Sequence, residues 1–258
     1  MENEKCYIEN LKKLLDKSIS KLPKNNLAVA FSGGVDSCIL AKLIKNKACY
    51  TVGIKNCGDF SSAESASKEL NLKLRKIILN EKEIKEAVPI QAEILKKLYK
   101  KINDDRLKVS FLSISYNLPL FFVAKYAKEK NIVVGQGPDE MLGGYKRYLK
   151  MNKNDAIKEM NSDAKSLFDI KWLQNRETLK YFDKNIFLPY LDKEIVEFCK
   201  KMSYNLRINI TGKYILRKLA ENLGISREIS FRSKKAAQYG TGIMKVMKKA
   251  NRAGFMVY

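Results

Sequence analysis

The feature that most constrains this chain is an alternation of two patterns. A short continuous apolar run at Leu27-Ala28-Val29-Ala30-Phe31 and a second at Asn131–Val134 read as buried strands, and two further strands are read at Cys49–Ile54 and Lys73–Leu79. Between them, residues 36–46, Ser61–Leu70, 82–101 and 110–129 carry apolar side chains at helical spacing. Strands and helices that alternate in this way close as right-handed βαβ units. The expected fold class is therefore α/β, a parallel sheet with helices on both faces. A leading helix over 3–22 places Cys6, Tyr7, Leu11, Leu14, Leu15, Ile19 and Leu22 on one face, and Pro23 ends it. From about residue 146 only helical patterns are read. The expected domains are an α/β lobe over 1–145, led by the 1–23 helix, and a helical lobe over 146–258.

Two glycine loops sit directly after two of the strands. Ser32-Gly33-Gly34-Val35-Asp36-Ser37 lies between a buried strand and a helix. The glycines let the backbone turn tightly, so that its N–H groups converge on an anion, and the helix start adds partial positive charge. The serine hydroxyls add further donors. No Gly-Lys-Ser/Thr follows, so this is not the common phosphate loop of kinases. The competing reading is a plain glycine turn in which Asp36 caps the helix. The second loop, Gly135-Gln136-Gly137-Pro138-Asp139-Glu140, opens from the strand at 131–134. In open α/β sheets ligands sit beyond the carboxyl ends of the strands, so the two loops are placed to face one pocket.

Composition removes several chemistries. The 258 residues contain no histidine, which excludes Ser-His-Asp hydrolysis, His-ligated zinc and imidazole acid–base catalysis. The five cysteines form no CxxC pair, so neither a disulfide framework nor a zinc knuckle is expected. No apolar run approaches the roughly 20 residues of a membrane span, and the N-terminus lacks a signal-peptide pattern. A cytoplasmic protein without membrane partners is expected. The formal net charge of +22 favours anionic partners such as nucleotides or RNA, but the surplus is mostly lysine scattered along the chain. Polyanion binding and a lysine-rich compositional background both explain it. The best candidate RNA surface is Lys234–Arg252, where Lys235, Lys245, Lys248, Lys249 and Arg252 surround Tyr239. A solvated helix face accounts for the same pattern.

Ser32–Ser37 resembles the PP-loop of ATP pyrophosphatases, which cleave ATP between its α and β phosphates. The rest of the chain narrows the resemblance to the synthetase domain of asparagine synthetases and relatives such as β-lactam synthetase. Gly135–Tyr145 is similar to that family's second loop, Pro189-Tyr190-Leu191-Asp192 to its PFLD segment, Lys213-Tyr214-Ile215-Leu216-Arg217 to its K-x-x-L-R helix, and Arg232-Ser233-Lys234 to its R-x-K loop. The resemblance implies a PP-loop (adenine nucleotide alpha-hydrolase-like) sheet and an AMP-forming ligase that uses ATP and Mg2+. It implies that Ser32, Gly33, Gly34, Asp36 and Ser37 hold the departing phosphates, and that Phe31, Val52, Val134 and Gly135 meet adenine and ribose. Those last four suit a sheet core equally. It implies that Asp36 and Asp139 hold the metal, Asp139 having helix capping as its alternative, and that Lys234 stabilises charge on the reacting phosphate. Asp192 and Arg217 are read as a structural ion pair.

Three departures separate the chain from that family. Met1 is followed by Glu2, where the full-length family has a cysteine nucleophile of a glutaminase domain, so glutamine hydrolysis by that route is not expected. Nitrogen would come from ammonia, an amine or a separate amidotransferase subunit. Gln136 stands where the synthetases have glutamate, and an amide cannot take the proton of an attacking amine. Phe187 stands where arginine is usual. Three readings follow. The first is an adenylating ligase that activates a carboxylate of a small-molecule acceptor. The second is a tRNA-modifying enzyme that adenylates a base for attack by an amine or sulfur, with Cys38 and Cys57 as sulfur candidates. The third is a nucleotide-binding scaffold without turnover.

Overall fold

The structure is a computed structural model that describes residues 4–104, 106–233 and 237–252. Five strands, β1 (Leu27–Ala30), β2 (Ala48–Ile54), β3 (Lys73–Leu79), β4 (Asn131–Val134) and β5 (Asn185–Phe187), form one sheet in the order β3-β2-β1-β4-β5. Every neighbouring pair is parallel. Ala28 stands opposite Ala48 on one side and Ile132 on the other, so β1 is central.

Because side chains alternate along a strand, each strand feeds two cores. Leu27 and Val29 of β1, Cys49 of β2 and Val133 of β4 point to one face. They pack there against α1 (Glu4–Ser20), α2 (Val35–Ile44) and α3 (Gly58–Glu69), later joined by α9 (Lys193–Lys201) and α11 (Tyr214–Asn222). Ala28, Tyr50, Val52 and Ile132 point the other way. They meet α4 (Glu81–Ile102), α5 (Phe111–Tyr126), α8 (Trp172–Lys180) and α14 (Ile243–Arg252). The remaining helices are α6 (Pro138–Met141), α7 (Lys153–Ser166), α10 (Tyr204–Arg207), α12 (Arg227–Ser230) and α13 (Ala237–Gly240), with a π-helical stretch at Leu167–Lys171. Among the described residues no helix is long and apolar enough to cross a membrane.

The expected parallel α/β sheet is present. The reading that strands end before 146 is not: β5 pairs with β4 through Asn131↔Asn185, Ile132↔Ile186 and Val133↔Phe187. Three residues at a sheet edge are too few to print a period of two in the sequence. α14 also returns to the α/β body, packing on α4 and α5 and burying Ile243, Val246 and Met247 in the second core.

The strand order fixes where a ligand can lie. From β1 the chain leaves to β2 on one side, whereas β4 pairs on the other side of β1. The loops after β1 and β4 therefore diverge around a crevice at a topological switch point.

Candidate active site

Both glycine loops open into one cavity of about 590 Å³, within the usual range for small-molecule sites. In the first loop Gly33 has φ +71°, and a Cβ there would lie 2.4 Å from the backbone carbonyl of Ser62. The loop is braced by its own serines. Gly34 N–H donates to Ser32 Oγ (3.4 Å), Ser37 Oγ–H donates to the Gly34 carbonyl (3.0 Å), and Ser32 N–H donates to Ser37 Oγ (3.4 Å). Gly34, not Asp36, is the N-cap of α2.

That leaves Asp36 for another task. Its Oδ2 accepts from Lys213 Nζ at 2.7 Å, and the same ammonium lies 2.6 Å from Asp139 Oδ1 of the second loop. Lys213 is 2% exposed. It reaches this position from a left-handed residue just ahead of α11 (φ 58°), where its N–H donates to the Leu142 carbonyl (2.8 Å). Gly144 makes room: a Cβ on it would come within 2.2 Å of Lys213 Cε. Four residues on, Arg217 braces the turn by donating Nε–H to Gly212 O (2.8 Å) and Nη1–H to Ser230 O (2.6 Å). Tyr190, from the Pro189–Leu191 turn, donates its hydroxyl to the Asp36 carbonyl (2.9 Å). One buried cation thus ties the two loops together.

The structure brings Phe31, Ser32, Asp36, Ser37, Val52, Val134, Gly135, Gln136 and Asp139 to the cavity wall. Gly33 and Gly34 belong to the same loop but are not among the described residues that line the cavity. Asp139 sits inside the first turn of α6, whose N-cap is Gly137, so it is not a capping residue. Lys234 and Lys235 lie outside the described residues. Arg232, two residues before Lys234, donates to the Ser62 carbonyl (3.1 Å) that abuts Gly33. The Asp192–Arg217 pair does not form. Asp192 accepts from Lys21 (2.5 Å) and caps α9, because Arg217 is drawn inward to backbone carbonyls. On α14, Lys245, Lys248, Lys249 and Arg252 are exposed, with Lys249 bound to Glu81 (3.0 Å). Cys38 and Cys57 are buried. Burial first, then nearby Asp36, pushes the Cys38 thiol up to about 12, and burial raises Cys57, so neither is a ready thiolate.

Sequence reasoning assigned no role to Lys213, Tyr116, Asn175, Glu140 or Lys171. Lys213 and Glu140 stood in matched motifs; the others carry no local signal. Gln136 is held on both sides: its Nε2–H donates to Tyr116 Oη (2.7 Å), and its Oε1 accepts from Asn175 Nδ2 (2.7 Å). Glu140 is 2% exposed, accepts from Tyr145 Oη–H (2.7 Å) and lies 3.6 Å from Lys171 Nζ. Burial raises its pKa above the ordinary 4.5. The stabilising contribution of its protonated form is complete below about pH 4.5 and is lost as pH climbs through the raised native value. Glu140→Gln is therefore expected to raise the melting temperature relative to wild type at about pH 8 and to change it little at about pH 4. Equal shifts at both pH values would remove burial of charge as the cause.

A switch-point crevice with a Ser-Gly-Gly loop on one side and an acidic glycine loop on the other defines the class of PP-loop ATP-utilising proteins. The profile described as asparagine synthase matches residues 10–188 and 185–253, and the chain belongs to the asparagine synthase family. A putative glutamine-hydrolysing asparagine synthetase of Methanocaldococcus jannaschii is 31% identical over 98% of this chain and 53% of its own length. An asparagine synthetase domain-containing protein of Saccharomyces cerevisiae is 25% identical over 46% of this chain and 22% of its own. The chain thus spans about half, or less, of the curated relatives it matches. Among solved structures, NMN synthetase from Francisella tularensis aligns over 100% of this chain and 98% of its own, at 14% identity and a TM-score of 0.35.

Proposed function

We propose that this chain transfers AMP from ATP to an oxygen of an acceptor, releasing pyrophosphate, and that a nitrogen nucleophile then displaces the AMP. The observation that carries the reading is the single ammonium of Lys213 joining Asp36 of the first glycine loop to Asp139 of the second. In this reading the backbone of Ser32–Ser37 cradles the β and γ phosphates. Phe31, Val52, Val134 and Gly135 supply the apolar wall for adenine and ribose. Lys234 stabilises charge on the reacting phosphate, a kind of electrostatic assistance that dominates many such reactions.

The donor set suits Mg2+. Asp36 and Asp139 converge on one cation, and each carboxylate uses one oxygen there. Mg2+ takes most of its ligands from phosphates and water, so two carboxylates suffice as the protein's share. When bound, Mg2+ would neutralise charge on the phosphates that depart. Asp36 and Asp139 would hold it, and Lys213 would keep the two carboxylates in register.

The acceptor oxygen attacks the α-phosphorus as the bond to the β-phosphate bridge breaks. The nitrogen nucleophile then adds to the activated carbon and AMP leaves. Gln136 orients but takes no proton, so the proton passes to a wall carboxylate or water. The family match supports a carboxylate acceptor and amide formation. The neutral Gln136 favours the second reading, an uncharged carbonyl such as that of an RNA base. ATP–[32P]pyrophosphate exchange with aspartate and with bulk tRNA tests both. Acceptor-dependent exchange is expected in wild type, with Asp36→Asn losing it at least about 100-fold, the scale of one removed transition-state contact. Release of ADP instead of AMP would end the proposal.

A further inference from the structure

α14 starts beside the cavity. Ala237 of α13 and Thr241 line that cavity, and the Thr241 carbonyl accepts from Ile54 N–H at the end of β2 (2.9 Å). The helix begins two residues later and buries Ile243, Met244, Val246, Met247 and Ala250. Its exposed residues are Lys245, Lys248, Lys249, Asn251 and Arg252. The four cations stand at i, i+3, i+4 and i+7, so they form one stripe about 10 Å long.

This stripe works against the helix that bears it. Lys245 and Lys249, like Lys248 and Arg252, are like charges four residues apart. Lys245 and Lys248, like Lys249 and Arg252, are three apart, so each cation repels its neighbours. Lys249 and Arg252 in the last turn suit the helix dipole. Lys245 stands in the first turn, where a cation is disfavoured and no acid accompanies it. A lysine-rich background does not account for this arrangement. The exposed face of α1 mixes Lys5, Lys13 and Lys17 with Glu9 and Asp16, and that of α9 mixes Lys193, Lys200 and Lys201 with Glu194 and Glu197. On α14 no acid is interleaved. One carboxylate reaches the stripe from outside, Glu81 of α4 to Lys249 (3.0 Å). Among the described residues Lys245, Lys248 and Arg252 make no ion pair.

A chain of closely spaced anions complements such a stripe, because it relieves all of these repulsions together. A lipid surface fits less well. Membrane-surface helices present apolar side chains beside their lysines, whereas every apolar side chain of α14 is buried. Three of the four cations are lysines, compact charges that hold phosphates without reading bases. Tyr239 supplies the other part that a single strand needs. It lies between the cavity residues Ala237 and Thr241, and its 52% exposure leaves the ring open to an unpaired base. We infer that α14 is a docking track for a single-stranded segment of RNA, with phosphates on Lys245, Lys248, Lys249 and Arg252 and a base on Tyr239, beside the cavity. The choice of RNA rests on the second reading above, in which the acceptor is a carbonyl of an RNA base.

Fluorescence anisotropy of a labelled dodecauridylate, titrated with the full chain in the absence of ATP, tests it. Four phosphate contacts predict a slope of about −3 for log K against log salt, a loss of about 50-fold between 50 and 200 mM. Lys245→Gln with Lys248→Gln should flatten that slope by about 1.4. The same variant should melt no lower than wild type, since it removes repulsion. Tyr239→Ala should weaken binding about tenfold with the slope unchanged, the scale of one lost stacked base. Lys5→Gln with Lys13→Gln on α1 removes the same charge from a mixed face and should change little. If it weakens binding as much as the α14 variant, the attraction belongs to the net charge and the track is overturned. The track also falls if Tyr239→Ala has no effect, or if the α14 variant melts lower than wild type. Uptake by phosphatidylserine vesicles that the α14 variant abolishes would assign the stripe to a membrane and overturn the choice of RNA. Each of these failures leaves adenylation of a carboxylate standing, because the assay holds no ATP and that acceptor needs no RNA. Absent pyrophosphate exchange with every acceptor would end the adenylation reading without altering the measured binding.

Discussion

Lys213→Met is expected to cost about 3–5 kcal/mol of stability, the usual penalty for removing one partner from a buried ion pair. The ammonium is shared by two carboxylates, and they are not equivalent. Asp36 is 2% exposed, whereas the Asp139 side chain is 27% exposed and shares its charge with solvent. Most of the loss should therefore come from Asp36, the more buried of the two, which loses the ammonium 2.7 Å away. Urea denaturation monitored by circular dichroism reads the effect directly. Asp36→Asn in the Lys213→Met background should recover most of it, because a neutral amide needs no countercharge, and the double-mutant cycle isolates the pair. Mg2+ should raise the melting temperature of Lys213→Met more than that of wild type, since a metal between the loops replaces the missing cation. A loss below about 1 kcal/mol would place the pair among exposed salt bridges and remove its part in joining the loops.

That lysine also marks the border of what the sequence discloses. β1 and β4 are buried on both faces, so they print as unbroken apolar runs, and the glycines after them mark where the backbone must turn. Both loops and the crevice between them were legible for that reason. Lys213 is different, because its contact with Asp36 spans 177 positions and depends on one left-handed residue before α11. No spacing rule reports such a contact. Tyr116, Gln136 and Asn175 meet across 20 and 39 residues, from a helix, a loop and a second helix. Charge arithmetic misled in one place. Asp192 and Arg217 have opposite charge, yet Arg217 donates to the Gly212 and Ser230 carbonyls, and Asp192 pairs with Lys21, just beyond the end of α1.

Gly33→Ala should abolish tight nucleotide binding, with affinity falling at least about 100-fold. Two costs combine at this position. A left-handed φ of +71° costs a non-glycine residue about 1–2 kcal/mol. The new methyl would also lie 2.4 Å from the Ser62 carbon and oxygen and 2.6 Å from Ala63 N. Those are backbone atoms of α3, and the Ser62 carbonyl is further held by Arg232 (3.1 Å), so no flexible side chain can give way. The loop must move instead, taking with it the amides between Ser32 and Ser37. Gly224→Ala separates the two costs. Gly224 has nearly the same conformation, φ +76°, but a Cβ added there would meet nothing within 4 Å. It should lose about 1 kcal/mol of stability and keep its nucleotide affinity. Calorimetric titration with α,β-methylene-ATP and Mg2+ compares the two variants. Equal affinities would mean that contact between the first glycine loop and α3 does not shape the phosphate cradle, and that the backbone conformation alone accounts for glycine at position 33.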